Sequence, residues 1–329
     1  MKNDWHMDRF GRRHTYLRIS VTDRCNLRCT YCMPAEGLDW QPVGNQLTPD
    51  ELVRIAQVFV NAGVTRIRLT GGEPTLRPDI ETLIARLSNL PGLHELLMTT
   101  NGTTLAEKAV TYKKLGLSGL NISLDSLNPE RYFAITRRDQ HAIVMAGIEA
   151  ALKAQFQTLK INVVVMAGAN EDETLDFVER YKNFPINIRF IEFMPFKSNG
   201  WSGDSLVPYR HIKNQIEKTY SLSPIQREPS AVAKDFAIAG YPGTVSFITS
   251  MTDSFCSTCN RIRLTSDGSI KSCLFFNHEI PIRDFLRAGA SDAELMEKIR
   301  EALLLKPEAH GSPEALAQSD NRSMIQIGG

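Results

Sequence analysis

Six short β-prone runs separated by helix-length segments constrain this chain more than any other feature. The runs lie at residues 16–21, 66–70, 95–100, 119–125, 159–165 and 187–193, with helices expected over 48–62, 78–87, 105–114, 142–154 and 171–183. Thr48-Pro-Asp-Glu51 marks the first helix start, with an N-cap hydroxyl, an acidic N3 partner and proline in the first turn. Strand–helix alternation of this kind predicts parallel βαβ units. Six units fall two short of a closed eight-stranded barrel, so the expected fold class is α/β, an open, partial (βα)6 TIM-like barrel. The alternation fades between 201 and 239, apart from a helix over 209–218, and a change of domain is expected there. The predicted units are residues 1–220 and a smaller C-terminal α+β domain, 221–329.

Side chains alternate along a strand. Arg18 and Ser20, then Arg66, Arg68 and Thr70, fall on one face, opposite Leu17, Ile19, Ile67 and Leu69. Asn121, Ser123 and Asp125, Lys160 and Asn162, and Asn187 and Arg189 repeat the pattern on later strands. The apolar face must pack on helices. A polar, cation-bearing face then points into the barrel, where a closed barrel carries Val, Ile and Leu. Buried unpaired charge is costly, so this interior is expected to be wet or to hold an anion. For any single arginine, the bland reading is a strand-end side chain that snorkels to solvent.

The six cysteines form two triplets, Cys25, Cys29 and Cys32 after the first strand, and Cys256, Cys259 and Cys273 far along the chain. Thiolates are soft ligands suited to zinc, copper(I) or iron–sulfur clusters. An iron–sulfur cube ordinarily takes four cysteines; three leave one iron open to substrate or cofactor. A zinc knuckle completed by a distant residue, or buried thiols, are the alternatives. At the second triplet, a hairpin turning at Asp267-Gly268 is expected to return Cys273 to the pair, and His278 could complete a Cys3His zinc site. Disulfides are disfavoured, because a cytoplasmic, reducing location is expected: residues 1–13 are polar, without the apolar core of a signal peptide, and no run of 18 apolar residues occurs. That N-terminal stretch is expected to be a mobile arm. A net charge of +1 implies no pull toward nucleic acid or a membrane.

Cys-x-x-x-Cys-x-x-Cys, with Tyr31 before the last cysteine, resembles the signature of the radical S-adenosylmethionine (SAM) enzymes. Four further features occur with it and in order: Thr70-Gly-Gly-Glu-Pro74, Asn121-Ile-Ser-Leu-Asp-Ser126, Cys256-Ser-Thr-Cys-Asn-Arg-Ile-Arg-Leu264 with Cys273, and Gly328-Gly329. Together with the run from Leu17 to Pro34 they resemble the GTP 3',8-cyclases, the molybdenum cofactor biosynthesis protein A family, over nearly the whole chain. The resemblance implies that the C-terminal domain caps the open side of the barrel. It implies that each triplet holds a 4Fe-4S cluster, the first with SAM on its open iron and the second offering its free iron to the purine of GTP. It implies that SAM is cleaved to a 5'-deoxyadenosyl radical that takes hydrogen from C3' of GTP, and that C3' then adds to C8. The product would be 3',8-cyclo-7,8-dihydro-GTP, made in the first step of molybdenum cofactor synthesis.

Matched residue by residue, the resemblance implies that Tyr31, Gly72, Ser123 and Met194 touch SAM. It implies that Arg18, Arg68, Thr99, Lys160, Arg261, Ile262 and Arg263 touch GTP, and that Arg18, Arg261, Arg263, Gly328 and Gly329 are catalytic. Expected partners are GTP, SAM, a flavodoxin- or ferredoxin-type electron donor and, downstream, cyclic pyranopterin monophosphate synthase. A homodimer is compatible with the family; no nucleic acid or membrane partner is expected. The rivals are another two-cluster radical SAM enzyme, such as a peptide-modifying one, and a non-catalytic zinc or electron-transfer protein. Read without the resemblance, Arg261 and Arg263 share one strand face beside the second triplet, and arginine matches phosphate oxygens bidentately. Residues 324–327 are apolar and β-prone, so the tail is expected to dock, and glycines beyond it can thread into a narrow space.

Overall fold

The computed structural model describes residues 5–328. Its strands are β1 (Tyr16–Ser20), β2 (Arg66–Thr70), β3 (Glu95–Thr100), β4 (Gly119–Ser123), β5 (Thr158–Val165), β6 (Asn187–Glu192), β7 (Leu222–Pro224), β8 (Ala233–Ile238), β9 (Thr244–Ile248), β10 (Arg261–Leu264), β11 (Ser269–Lys271) and β12 (Ile280–Pro281). They form one sheet in the order β12-β11-β10-β1-β2-β3-β4-β5-β6-β9-β8-β7. The first six are the six sequence-predicted strands. Helices cover the links between them, beginning with Pro49–Asn61, whose start carries the expected reciprocal Thr48–Glu51 capping box. Leu17, Ile19, Ile67, Leu69, Leu120 and Ile122 are fully buried beneath those helices. Each such side chain contributes roughly 1.5–3 kcal/mol of hydrophobic stabilisation.

The sheet extends beyond the predicted six strands. β10 pairs parallel with β1, and β9 pairs parallel with β6. Both come from the C-terminal third, which adds a parallel strand to each flank of the partial barrel. The stretch from 201 to 239, which lacks an alternating pattern, nonetheless contains β7 and β8, antiparallel strands beyond β9, with the three-residue β7 at the sheet edge. Short edge strands need little apolar periodicity, because one of their sides stays at the surface.

Two smaller expectations are corrected. The tail segment Met324–Ile327 docks, but as a helical turn rather than a strand, with Ile325 and Ile327 buried. Such a turn closes its own backbone bonds and needs no neighbouring strand. The N-terminal arm is pinned: Met7 bridges Arg13, and Asp8, Arg12 and His14 are buried. Among the described residues, no helix is long and apolar enough to cross a membrane.

Candidate active site

The polar strand faces and both cysteine triplets open onto one cavity.

The first triplet follows β1. Its loop is braced from outside, with Arg28 N–H donating to Thr136 O and Thr30 N–H to Ile135 O, both at 2.9 Å. Arg137 adds its guanidinium, donating to the Arg28 carbonyl at 3.1 Å. Burial pushes Cys25 up to about 11, with the nearby Glu73 carboxylate acting the same way. Cys29 and Cys32 are also raised, by burial first and then by their fellow thiols and Asp125. Three thiolates in such surroundings need a positive partner. All six cysteines are free of disulfides, and among the described residues no three His, Cys, Asp or Glu side chains converge closely enough to hold a single metal ion. Soft thiols lining one cavity wall suit an iron–sulfur cluster.

The Thr70-Gly-Gly-Glu-Pro74 loop lies flat against the backbone that leads into that triplet. Gly72 N–H donates to Thr22 O and Glu73 N–H to Arg24 O, each at 2.8 Å. A Cβ on Gly71 or Gly72 would come within 2.4 Å of a carbonyl oxygen of this segment. Close backbone approach therefore explains the glycines before any ligand is considered. The Glu73 carboxylate beneath the loop accepts from Thr75 N–H and hydroxyl, the Thr100 hydroxyl at 2.8 Å and Asn101 N–H at 2.7 Å. On the opposite wall, the Tyr31 hydroxyl donates to Asp125 at 2.7 Å. Burial pushes that carboxyl up to about 6, against the opposing pull of its hydrogen bonds from Val164 and Tyr31.

Register aligns the cations. Arg18 sits beside Arg263 on one neighbour and Arg68 on the other, so three guanidinium-bearing residues form a row across β10, β1 and β2. Arg189, across from Asn162, continues the lining on β6. Burial, and then mutual repulsion, lowers Arg263 to about 9 and Arg189 to about 10, and pulls Arg18 well below its ordinary value. The buried Arg189 Nε and Asn162 Oδ1 have no hydrogen-bond partner, and both residues line the cavity. A wall of like charges with an orphaned Arg189 N–H fits a polyanion. Arg66, by contrast, pairs with Glu95 and is only half-buried, the snorkelling case.

At the second triplet, the hairpin forms as expected, β10 pairing antiparallel with β11. Burial raises the Cys259 thiol, but Arg261 and Lys306 outweigh it and bring it down to about 6. The histidine at this triplet is His310, which hydrogen-bonds Cys256 and stands edge-on to Phe275 with ring centres 4.8 Å apart. His278, which could have completed the rival Cys3His zinc site, is exposed.

Of the residues singled out in the sequence, all six cysteines, Arg18, Arg68, Thr99, Arg261 and Arg263 line the cavity, as do Tyr31, Gly72, Ser123 and Met194. Lys160 lies beside the wall, its charge felt by Arg189 and Arg68. The Ile262 side chain is in the hydrophobic core, leaving only its backbone to meet a ligand. Gly328 reaches the cavity wall, its carbonyl accepting from Arg263 Nη1 at 2.9 Å and the Thr70 hydroxyl at 3.3 Å. Gly329 lies outside the described residues. Tyr16, which lines the cavity and hydrogen-bonds Arg68, and His310 were missed. Tyr16 holds a polar-face position two residues before Arg18, so alternation could have found it. No sequence signal marks His310.

Comparison with known proteins agrees with this geometry. Residues 19–181 match the model of the radical SAM superfamily, and residues 186–312 match that of Molybdenum Cofactor Synthesis C. The chain is 50% identical to the GTP 3',8-cyclase, mitochondrial, of Arabidopsis thaliana, over 99% of this chain and 84% of that one. It is 45% identical to the GTP 3',8-cyclase of Moorella thermoacetica, over 98% of this chain and 99% of that one. It is 46% identical to human molybdenum cofactor biosynthesis protein 1, covering 97% of this chain but only 50% of that longer protein. Among solved structures, Streptococcus suis SuiB superposes with a TM-score of 0.62 at 15% identity, covering 89% of this chain and 66% of that one. Native anSMEcpe with bound AdoMet gives a TM-score of 0.58 at 15% identity, over 92% and 84%. At such identities the two structures speak to fold alone.

Proposed function

The chain belongs to the GTP 3',8-cyclase family of the radical SAM superfamily, and from that premise we propose how its single cavity divides the work. The enzyme converts GTP to 3',8-cyclo-7,8-dihydro-GTP, the first step of molybdenum cofactor synthesis, using SAM and iron–sulfur chemistry. The finer reading is that each triplet holds one 4Fe-4S cluster, Cys25, Cys29 and Cys32 toward SAM and Cys256, Cys259 and Cys273 toward GTP. The cluster and SAM supply, when bound, one-electron cleavage and a carbon radical able to abstract hydrogen. Tyr31, Gly72, Ser123 and Met194 would position SAM. The observation that carries this reading is that both triplets and the arginine row open onto the same cavity.

The chain's own residues do the binding and orienting. Arg18, Arg68, Arg261 and Arg263, with Lys160 beside them, form the triphosphate cradle, and Thr99 and the Ile262 backbone complete it. Arg263 also holds the Gly328 carbonyl, which brings the tail to the same place; Gly328 then helps exclude water around the reacting centre. The division of the chain falls near residue 220, with the SAM-binding barrel before it and the substrate-facing part after it. The setting is cytoplasmic, with a flavodoxin- or ferredoxin-type electron donor and a downstream enzyme, cyclic pyranopterin monophosphate synthase, taking the product. Anaerobic incubation of the reconstituted enzyme with GTP and SAM should give the cyclised product by mass spectrometry. A GTP pool left intact while SAM is cleaved would contradict the assignment.

Lys160 makes binding pH-dependent. Burial, then repulsion from Arg189 and Arg68, lowers its ammonium to about 7. A bound triphosphate favours the charged form and raises that value, so at pH 8 binding should take up as much as about one proton. GTP affinity should therefore weaken as pH rises above 7, by up to about tenfold per unit. Calorimetry in two buffers of different ionisation enthalpy reads the uptake directly. Lys160→Met should abolish it; uptake unchanged in that variant would assign the proton elsewhere.

A further inference from the structure

We propose that Lys306 is a positioning residue for the second cysteine triplet, and that its ammonium sets the reduction potential of the cluster held there through the Cys259 sulfur. The proposal rests on the reading of Cys256, Cys259 and Cys273 as cluster ligands. Lys306 is 2% exposed. Its Nζ lies 2.7 Å from the Arg261 carbonyl oxygen, 2.8 Å from His14 Nε2 and 3.6 Å from Cys259 Sγ. An ammonium carries three N–H donors and no acceptor, so each donor meets one partner and His14 Nε2 must accept. The ring proton of His14 is thereby fixed on Nδ1, which faces the His6 carbonyl oxygen at 3.2 Å.

Arg12 fixes the segment that follows. Its guanidinium donates to the carbonyls of Pro307 and Glu308 at 2.7 Å and of Cys256 at 2.8 Å, while Asp8 grips its Nε at 2.6 Å. The N-terminal arm thus carries a built cradle that presents one buried ammonium to one sulfur. Lys306 does not line the cavity that Cys259 and Arg261 face, so it acts through those residues rather than on substrate. A buried charge is expensive to keep without purpose or partner, and here its third donor is spent on a thiolate sulfur. Hydrogen bonds to cluster sulfurs tune the potential, and a cation so placed favours the reduced, more negative state.

The test is an EPR-monitored redox titration of the full chain carrying Cys25→Ala, Cys29→Ala and Cys32→Ala, so that one cluster gives the signal. Parent and Lys306→Met should both hold about four irons. The midpoint potential of Lys306→Met should be lower than the parent's, and Lys306→Arg, which keeps the charge, should return most of the difference. An unchanged potential in iron-replete Lys306→Met overturns the proposal. Loss of the cluster from both Lys306→Met and Lys306→Gln would assign the residue to folding and overturn it equally. Absence of iron from the parent, with Lys306 intact, would instead remove the cluster reading on which the proposal stands.

Discussion

Cys29→Ala should leave a folded protein that forms no 5'-deoxyadenosine from SAM. Cys29 is the buried member of its triplet, and its backbone carbonyl accepts from Cys32 and Met33 N–H at 3.0 and 3.2 Å. Alanine keeps those main-chain bonds, so the loop itself should survive. What disappears is one of three thiolates, with no cysteine between residues 33 and 255 to replace it. Iron should fall from about eight to about four per chain, since the second triplet is untouched. The same measurement separates the alternatives, because a zinc protein would hold zinc throughout. SAM cleavage at wild-type rate by the purified variant would sink the assignment of this triplet.

The second large effect is expected at Arg263. It sits between the second triplet and Arg18, and it is the arginine that meets the tail carbonyl. On the proposed cradle, Arg263→Ala would remove a charge-assisted phosphate contact worth about 1.5–3 kcal/mol, which is roughly a 10- to 150-fold loss in GTP affinity. SAM affinity should barely change, because the residues proposed to face SAM lie on β4 and on the loops after β1, β2 and β6, away from β10. Arg263→Lys should recover only part of the loss, since an ammonium cannot offer the planar fork. Calorimetric titration with GTP, and separately with SAM, reads both. GTP affinity equal to wild type would remove Arg263 from the phosphate cradle.

Much of this site was legible because two simple periods run through the chain. Alternation at a period of two placed Arg18, Arg68, Asn162 and Arg189 on the interior face, and the sheet register then set Arg18 beside Arg68. Cysteine spacing marked both triplets, and the Asp267-Gly268 turn gave the hairpin at the second. What the sequence withheld is long-range. Nothing local says that β10 lies against β1 or β9 against β6, since neither follows its neighbour through a crossover helix. Nor does any pattern link Asp8, Arg12 and His14 to Lys306 and Cys256, almost the full length of the chain away. The arm read as mobile because its contacts are carbonyls and a buried lysine that it meets only after folding. The reason for Gly71 and Gly72, close packing on the backbone of residues 22–24, became visible only in three dimensions.

On the proposed reading, both triplets serve one cavity in which hydrogen leaves C3' of GTP. This is tested most directly by anaerobic turnover of reconstituted enzyme with GTP deuterated at C3', followed by mass spectrometry of the 5'-deoxyadenosine. The account predicts deuterium in the 5'-deoxyadenosine and its absence from the cyclised product. Unlabelled 5'-deoxyadenosine, with the deuterium retained at C3' of the nucleotide, would contradict it.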